Sequence, residues 1–598
     1  MNLPSIREIT DKAQSAFKRF PVTLVWAILG SFYMIYLIGH GNQSRFEQNL
    51  DVLLTLILGV SWLIATQFLV EQQERPKKWV WVKAIVLILL VLFYWHLPSV
   101  DKLDDNPTYL VRFFLYLIGG HLFLLFAPFT KSWDKAAYWN YLKSVGTAIG
   151  RSGVFSGILY LGLVLALVAI DALFEVHIPG DYYGQLFIFC LGIVNTWIYL
   201  SDFPKNILQH TEIHFDKALE VFVKYILIPL VLLYIVILYA YGFKILIEWE
   251  LPKGWVSYLV TALALLGFVV QVLINPVQKT AKAWTIHRFY PWFYYALLPL
   301  IVLLFVAISR RVADYGITEN RYFVLLVAFW ILAMSLYLLF VKKKRLIVLP
   351  ISLFVLALLC SFGPWGAFKL STNSQVRQFE KVFKTVVKND KKANSEQFEQ
   401  LKSVMDFLDK RESISKLDGI TGFAMEEALK DTTNTDWKSY RWLDSGKILD
   451  SLGITISQEE LNKGPYGTYY SYYNDQSKAR DYDISEFSYF SPINFSSYNI
   501  QKNKIGRFEF SFDPNTVSIS LYAKNDSIKV IQIPLKKKLM ALSKYGNQLY
   551  NVDEKELMLK SENDSIMVQL IFTNLGYNIQ QDSINISSSN AFMFLKEK

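Results

Sequence analysis

The sequence predicts an all-α membrane bundle of about eleven transmembrane helices followed by a soluble α+β domain with an antiparallel sheet. Three observations predict it. Up to residue 368 the chain is a succession of apolar runs, each nearly free of charge and most of them long enough to cross a bilayer. The short loops between these runs alternate between basic and charge-poor. After Trp365 the chain turns polar, and its apolar residues recur first at helical spacing and then at every second position.

The charge distribution supports the same division. The 598-residue chain carries a net charge of +10, yet residues 371–598 hold 30 Lys+Arg against 30 Asp+Glu, so all of the excess lies among the apolar runs. A nucleic-acid binder would carry that excess as a basic face on a soluble domain. Here it sits in loops between spans, which argues for membrane topology and excludes a nucleic-acid partner. The two cysteines, Cys190 and Cys360, both fall in predicted spans. The tail therefore has no disulfide framework, and a domain of that size can bury a core without one.

Residues 1–20 form a basic segment expected in the cytoplasm. The membrane domain is expected over 21–368, with spans at about 21–39, 51–70, 79–97, 109–129, 153–175, 184–202, 221–246, 255–275, 292–309, 322–341 and 346–362. With the N-terminus inside, the inner loops hold 20 Lys+Arg and the outer loops 6. That asymmetry fixes the expected orientation, and an odd number of spans delivers the tail to the periplasm of a bacterial inner membrane. The last span is the shortest. It follows Lys342, Lys343, Lys344 and Arg345 and stops at Gly363, Pro364, Trp365 and Gly366. Trp79, Trp81, Trp95, Trp284 and Trp292 collect at span ends, where an apolar ring with a polar edge suits the headgroup zone.

Beyond the bundle, residues 369–460 read as a membrane-proximal helical region. Val376, Phe379, Phe383 and Val386 mark one amphipathic helix; Phe398, Leu401, Met405 and Leu408 mark another, behind a start at Asn394 and Ser395. Residues 461–598 read as β-rich and extracytoplasmic. The stretch with Tyr469, Tyr470, Tyr472 and Tyr473 suggests loops and short strands. Phe508, Phe510 and Phe512 then alternate, as do Val517, Ile519 and Leu521. The triplets Asn525, Asp526, Ser527 and Asn563, Asp564, Ser565 are hairpin-turn signals before the strands starting at Ile528 and Ile566.

Ionisable and amide groups inside spans are the default functional suspects. His121 lies nearest a bilayer centre; Arg112 and Asp171 lie near the outer ends of the fourth and fifth spans, at depths that would let them pair. An interhelical bridge or snorkelling accounts for such groups more readily than a proton or solute path, and Asn195 fits a helix–helix hydrogen bond. His210 and His214, four apart, would share one helical face as a metal needs, but no third ligand follows on that face, so no metal or cofactor is expected. The most informative stretch is the outer loop from Arg310 to Tyr322. Arg310, Arg311 and Arg321 break the charge rule there. Gly316 permits a sharp turn, Thr318 can N-cap the tenth span, and Asp314 or Glu319 can neutralise the arginines. The loop reads either as a structural turn or as an anionic site for a lipid headgroup. No signature of a hydrolase, P-loop, kinase or zincin occurs.

Several of these motifs coincide with a known pattern. Tyr315, Gly316, Ile317, Thr318, Glu319, Arg321 and Tyr322, then Trp330, Gly363, Pro364, Trp365, Ala367, Ser374, Gln375 and Arg377 resemble an uncharacterised bacterial membrane family, domain of unknown function 4153. The resemblance takes in 121–128 and runs to about residue 420. It implies a multi-pass membrane protein and supplies no activity. The expected function is a non-enzymatic envelope component that anchors, senses or binds an envelope protein or anionic headgroup. A transporter of a small solute or lipid would instead gather Arg112, His121, Asp171 and Asn195 in one cavity. A lipid-linked glycosyltransferase would need an acidic residue in a substantial first outer loop, and here Glu47 is the only acid in about eleven residues.

Overall fold

A computed structural model of the chain describes residues 6–40, 48–98, 100–248, 255–278, 284–425, 445–456, 468–474, 482–497, 503–523, 529–543, 548–580 and 583–598. Glu47, Lys253 and the first Asn-Asp-Ser triplet lie outside the described residues. Contacts divide the chain into two units, Met1–Glu380 with Val404–Leu443 and Lys381–Ser403 with Asp444–Lys598.

In the first unit, among the described residues, ten helices are long and apolar enough to cross a membrane. After the amphipathic α1 (Ile6–Arg19) come α2 (Pro21–His40), α3 (Leu50–Glu71), α4 (Trp81–His96), α5 (Pro107–Phe126), α6 (Lys135–Phe174), α7 (Asp181–Ser201), α8 (Lys217–Glu248), α9 (Trp255–Ile274), α10 (Trp284–Tyr315) and α11 (Glu319–Phe340). Their long apolar stretches match helices solvated by lipid rather than by a protein core alone. Ile158, Leu161 and Leu165 of α6 are 60–67% exposed, a density of bare apolar surface that water does not tolerate.

The inner faces pack through aromatic edges and small residues. Phe68 meets Phe20, Tyr141 and Phe203 edge-on, with centroids 5.0–5.8 Å apart. Where α9 crosses α10, a Cβ on Gly267 would stand 1.9 Å from Phe293 Cζ, so only glycine allows that approach. The charged loop expected over 130–152 is mostly the first part of α6. Asp134 caps it, accepting from the backbone of Ala136 and Ala137 at 2.9 and 2.8 Å.

The eleventh apolar run forms a helix of only 12 residues, α12 (Val348–Leu359). At 1.5 Å per residue that is about 18 Å, short of a ~30 Å hydrocarbon core. The segment around it nevertheless returns along the whole of α11. Arg345 N donates to Tyr337 Oη at 2.9 Å, Trp330 Nε1 donates to Ser352 Oγ at 2.9 Å, and Tyr322 Oη donates to Trp365 O at 3.0 Å. Helix formation ends early because the chain folds back at Gly363, with φ +83°, and Ala367 N then bonds Cys360 O at 2.8 Å. Next come α13 (Ala367–Lys388) and α14 (Ser395–Asp409). The latter opens on a reciprocal capping box: Gln397 N to Asn394 Oδ1 at 2.7 Å, Asn394 N to Gln397 Oε1 at 3.1 Å.

The second unit carries the sheets. A two-residue parallel pair joins β1 (Lys392–Ala393) to β2 (Thr455–Ile456). A six-stranded sheet has the order β4 (Tyr489–Asn494), β12 (Ser583–Glu597), β11 (Ile566–Gln580), β3 (Thr468–Asn474) and β9 (Gln548–Val552), with β10 (Met558–Glu562) also on β11. A four-stranded antiparallel meander runs β5 (Asn503–Ile505), β6 (Phe508–Asp513), β7 (Ser518–Ala523), β8 (Lys529–Pro534). The predicted alternation is real: Phe508, Phe510 and Phe512 all point inward, and residues of both larger sheets share one core. The second triplet is the expected hairpin, since Asn563 Oδ1 accepts from Ser565 N and Ile566 N between paired β10 and β11. Within the tyrosine-rich stretch, Tyr470 and Tyr472 face inward and Tyr469 outward. Tyr472 and Tyr577 are buried with their hydroxyls donating to Leu542 O and Leu539 O at 2.8 and 2.7 Å. Burial pushes the Tyr472 phenol up to about 12, and Tyr577 is also raised by burial.

Candidate functional site

The loop between α10 and α11 gathers several of the family-like motifs into a densely bonded polar cluster. Gly316 adopts φ +70°, a left-handed turn closed by its own N–H on Val312 O at 3.0 Å. The turn leaves several carbonyls unpaired, and α13 supplies their donors. Gln375 Nε2 reaches Tyr315 O and Ile317 O at 3.0 and 3.1 Å, Gln378 Nε2 reaches Asp314 O at 2.8 Å, and Ser374 Oγ accepts from Ile317 N at 2.9 Å. A Cβ on Gly316 would lie 2.9 Å from Gln375 Nε2, so glycine is needed both for the dihedral and for the close approach.

Thr318 stands at the N-cap of α11 in extended geometry, as expected, but its side chain makes no cap bond. Glu319 does not neutralise the loop arginines. Instead Arg411 grips it with two parallel bonds, Nε to Oε1 at 2.6 Å and Nη2 to Oε2 at 2.8 Å, and the two side chains are only 14% and 9% exposed. The remaining guanidinium nitrogen donates to Phe407 O at 2.8 Å, and the group lies 3.5 Å from the Phe407 ring centroid. Arg321 turns back on the loop, donating to Tyr315 O and Gly316 O at 3.1 and 2.8 Å. Arg310 stays exposed, 3.7 Å from Asp314. Arg311 is half-buried beside it and joins none of these bonds.

The cluster is therefore a clamp of structural hydrogen bonds around one buried ion pair. It also lines a cavity of about 660 Å³ walled by apolar residues of α5, α11 and α12, with Glu319 and Arg411 at its polar end. Sequence reasoning missed Arg411, which carried no motif. Gln375 stood in the motif Ser374-Gln375, though without a role.

The suspects inside the spans do not converge. Arg112 donates to His96 Nε2 at 2.8 Å and stacks 4.9 Å from Phe368, so it does not pair with Asp171 as depth alone suggested. Because an arginine can only donate, His96 presents its lone pair at Nε2. Asp171 is half-buried on α6 with no ion pair among the described residues. His121 is exposed and turns its Nδ1 to Leu117 O one turn back, at 2.8 Å. Asn195 ends a π-helical stretch, Phe189–Asn195, and accepts from Ser156 Oγ at 3.3 Å. None of these four lines the cavities described here. His210 and His214 are not on a helix: Asn140 and Lys143 of α6 tie down the carbonyls of His210, Glu212 and His214. Among the described residues no group of three or more potential ligands could hold a metal.

Fold and cluster together define a multi-pass integral membrane protein with a separate sheet-bearing unit. The chain belongs to the family described as domain of unknown function (DUF4153), whose model matches residues 38–387. A similar curated protein is the uncharacterized protein PM1469 of Pasteurella multocida (strain Pm70), 27% identical over 345 residues, or 57% of this chain. The chain spans 55% of the length of that relative. No solved structure matches.

Proposed function

We propose that the protein is a non-enzymatic component of a bacterial inner membrane, with its N-terminus in the cytoplasm and its sheet-bearing unit in the periplasm, where that unit binds an envelope partner. The observation that carries this reading is the set of three rungs between α11 and residues 345–365. Tyr337, Trp330 and Tyr322 meet Arg345, Ser352 and Trp365 in antiparallel order. The short α12 with its flanks thus covers the height of α11, which supports an eleventh crossing and an odd total. The basic cluster 342–345 precedes that crossing and favours the cytoplasmic side. The clamp of Gln375, Gln378 and Arg411 supports an anchoring role, because each of its donor nitrogens already bonds the protein itself. The dispersal of Arg112, His121, Asp171 and Asn195 supports anchoring over a solute path.

The test replaces Cys190 and Cys360 with serine and introduces one cysteine at Ser561 of β10. A membrane-impermeant maleimide should label intact spheroplasts as strongly as lysed ones. Labelling only after lysis refutes the topology.

A further inference from the structure

A second cavity, of about 520 Å³, opens between α8 and α10. Its walls are apolar: Tyr239, Gly242 and Phe243 on one helix, Pro299 and Val302 on the other, with Arg310 at one end. Three features distinguish it from ordinary roughness between helices. Gly242 contributes no side chain, and the nearest atom to a Cβ there would be Leu303 Cδ2 at 3.6 Å, so the wall is open where any larger residue would project into it. Pro299 removes a backbone donor inside α10, and Tyr239 Oη donates to Ala296 O on that helix at 2.9 Å, which holds the ring in the lining. Arg310 is 62% exposed, and its acidic neighbour among the described residues, Asp314, lies at 3.7 Å, beyond hydrogen-bond range. Its guanidinium makes no hydrogen bond among the described residues and is free to take two oxygens of an anion.

The dimensions select the occupant. Pro299 to Arg310 spans about 17 Å at 1.5 Å per residue, roughly half of a ~30 Å hydrocarbon core. That is the depth of one leaflet. We propose that the groove holds one acyl chain of an anionic glycerophospholipid, whose phosphate is bound by Arg310. The charge is complementary, since a guanidinium meets phosphate oxygens in a two-pronged geometry that a choline headgroup's cation opposes. The basic excess that broke the loop charge rule then has a local purpose at this residue, whereas Arg321 is absorbed by the turn.

The full-length protein, purified in detergent, is presented with phosphatidylglycerol or phosphatidylcholine of identical chains, and retained lipid is counted by native mass spectrometry. The wild type should retain phosphatidylglycerol several-fold over phosphatidylcholine. Arg310→Gln should erase that preference, and Arg311→Gln, one residue away with the same charge change, should keep it. Gly242→Phe, or Val306→Trp on the α10 wall of the same cavity where the first variant fails to fold, should lower retention of both lipids. Equal retention of the two lipids by the wild type, or a preference that survives Arg310→Gln, overturns the proposal.

Discussion

Replacing Arg411 by Met tests the clamp most directly. The change removes both bonds to Glu319, the bond to Phe407 O and the stacking on the Phe407 ring, yet keeps most of the side-chain volume. What remains is a carboxylate with 9% of its side chain exposed and no counter-charge. Breaking a buried pair from one side costs about 3–5 kcal/mol, because the surviving charge stays desolvated. Removing both charges is different. Glu319→Leu with Arg411→Met should return to within ~1 kcal/mol of the wild type, since a buried pair is roughly balanced against apolar replacements. Arg411→Lys should fall between, keeping the charge but losing the two-pronged geometry. The assay is denaturant unfolding of the full-length protein in mixed micelles, followed by tryptophan fluorescence. A single variant as stable as the wild type, or a double variant as damaged as the single, would refute the view that the pair is buried and mutually dependent.

Two other predictions follow from close packing and from burial. Gly267→Ala should destabilise the bundle by about 1–3 kcal/mol through overpacking against Phe293, and adding Phe293→Leu should recover most of it; melting temperatures of the wild type and the two variants decide. In the sheet-bearing unit, burial raises the Tyr472 and Tyr577 phenols above their ordinary value of 10.0. Their contribution to stability is complete below pH 10, where the unfolded phenols are still protonated, and is lost as pH rises above 10, for Tyr472 through the window up to about 12. The unit's unfolding midpoint in urea should fall above pH 10, and Tyr577→Phe should flatten that fall; a midpoint independent of pH across the window would refute the assignment.

Much of the architecture was legible because a bilayer imposes simple rules. Ten of the predicted spans appear as long apolar helices, and the eleventh was already marked as the shortest. The alternation at Phe508, Phe510 and Phe512, the capping start at Asn394 and the turn at Gly316 are local signals that need no tertiary knowledge. The pairing of Glu319 was not legible. Three basic groups, Arg310, Arg311 and Arg321, stand near it in sequence, and the true partner lies 92 residues on, in a region read only for its helical period. Arg112 failed for the same reason: depth in a membrane gives height but not azimuth, so Asp171 stood as its partner on depth alone, whereas the packed helices bring His96 to it. The extended run at His210–His214 shows the reverse error, in which a helical spacing was read where side chains of α6 hold the backbone out of a helix.

The sheet order has a bearing on how the protein is made. In the six-stranded sheet β4 has a single neighbour, β12, and Asn494 waits for Asn590 before that ladder can close. Until then β4 has no mate earlier in the chain among the described residues, and such non-local pairing is slow to form. A nascent polypeptide in this state offers a template to any other strand nearby. Biogenesis of this unit thus depends on keeping that edge shielded for as long as it takes roughly a hundred further residues to arrive.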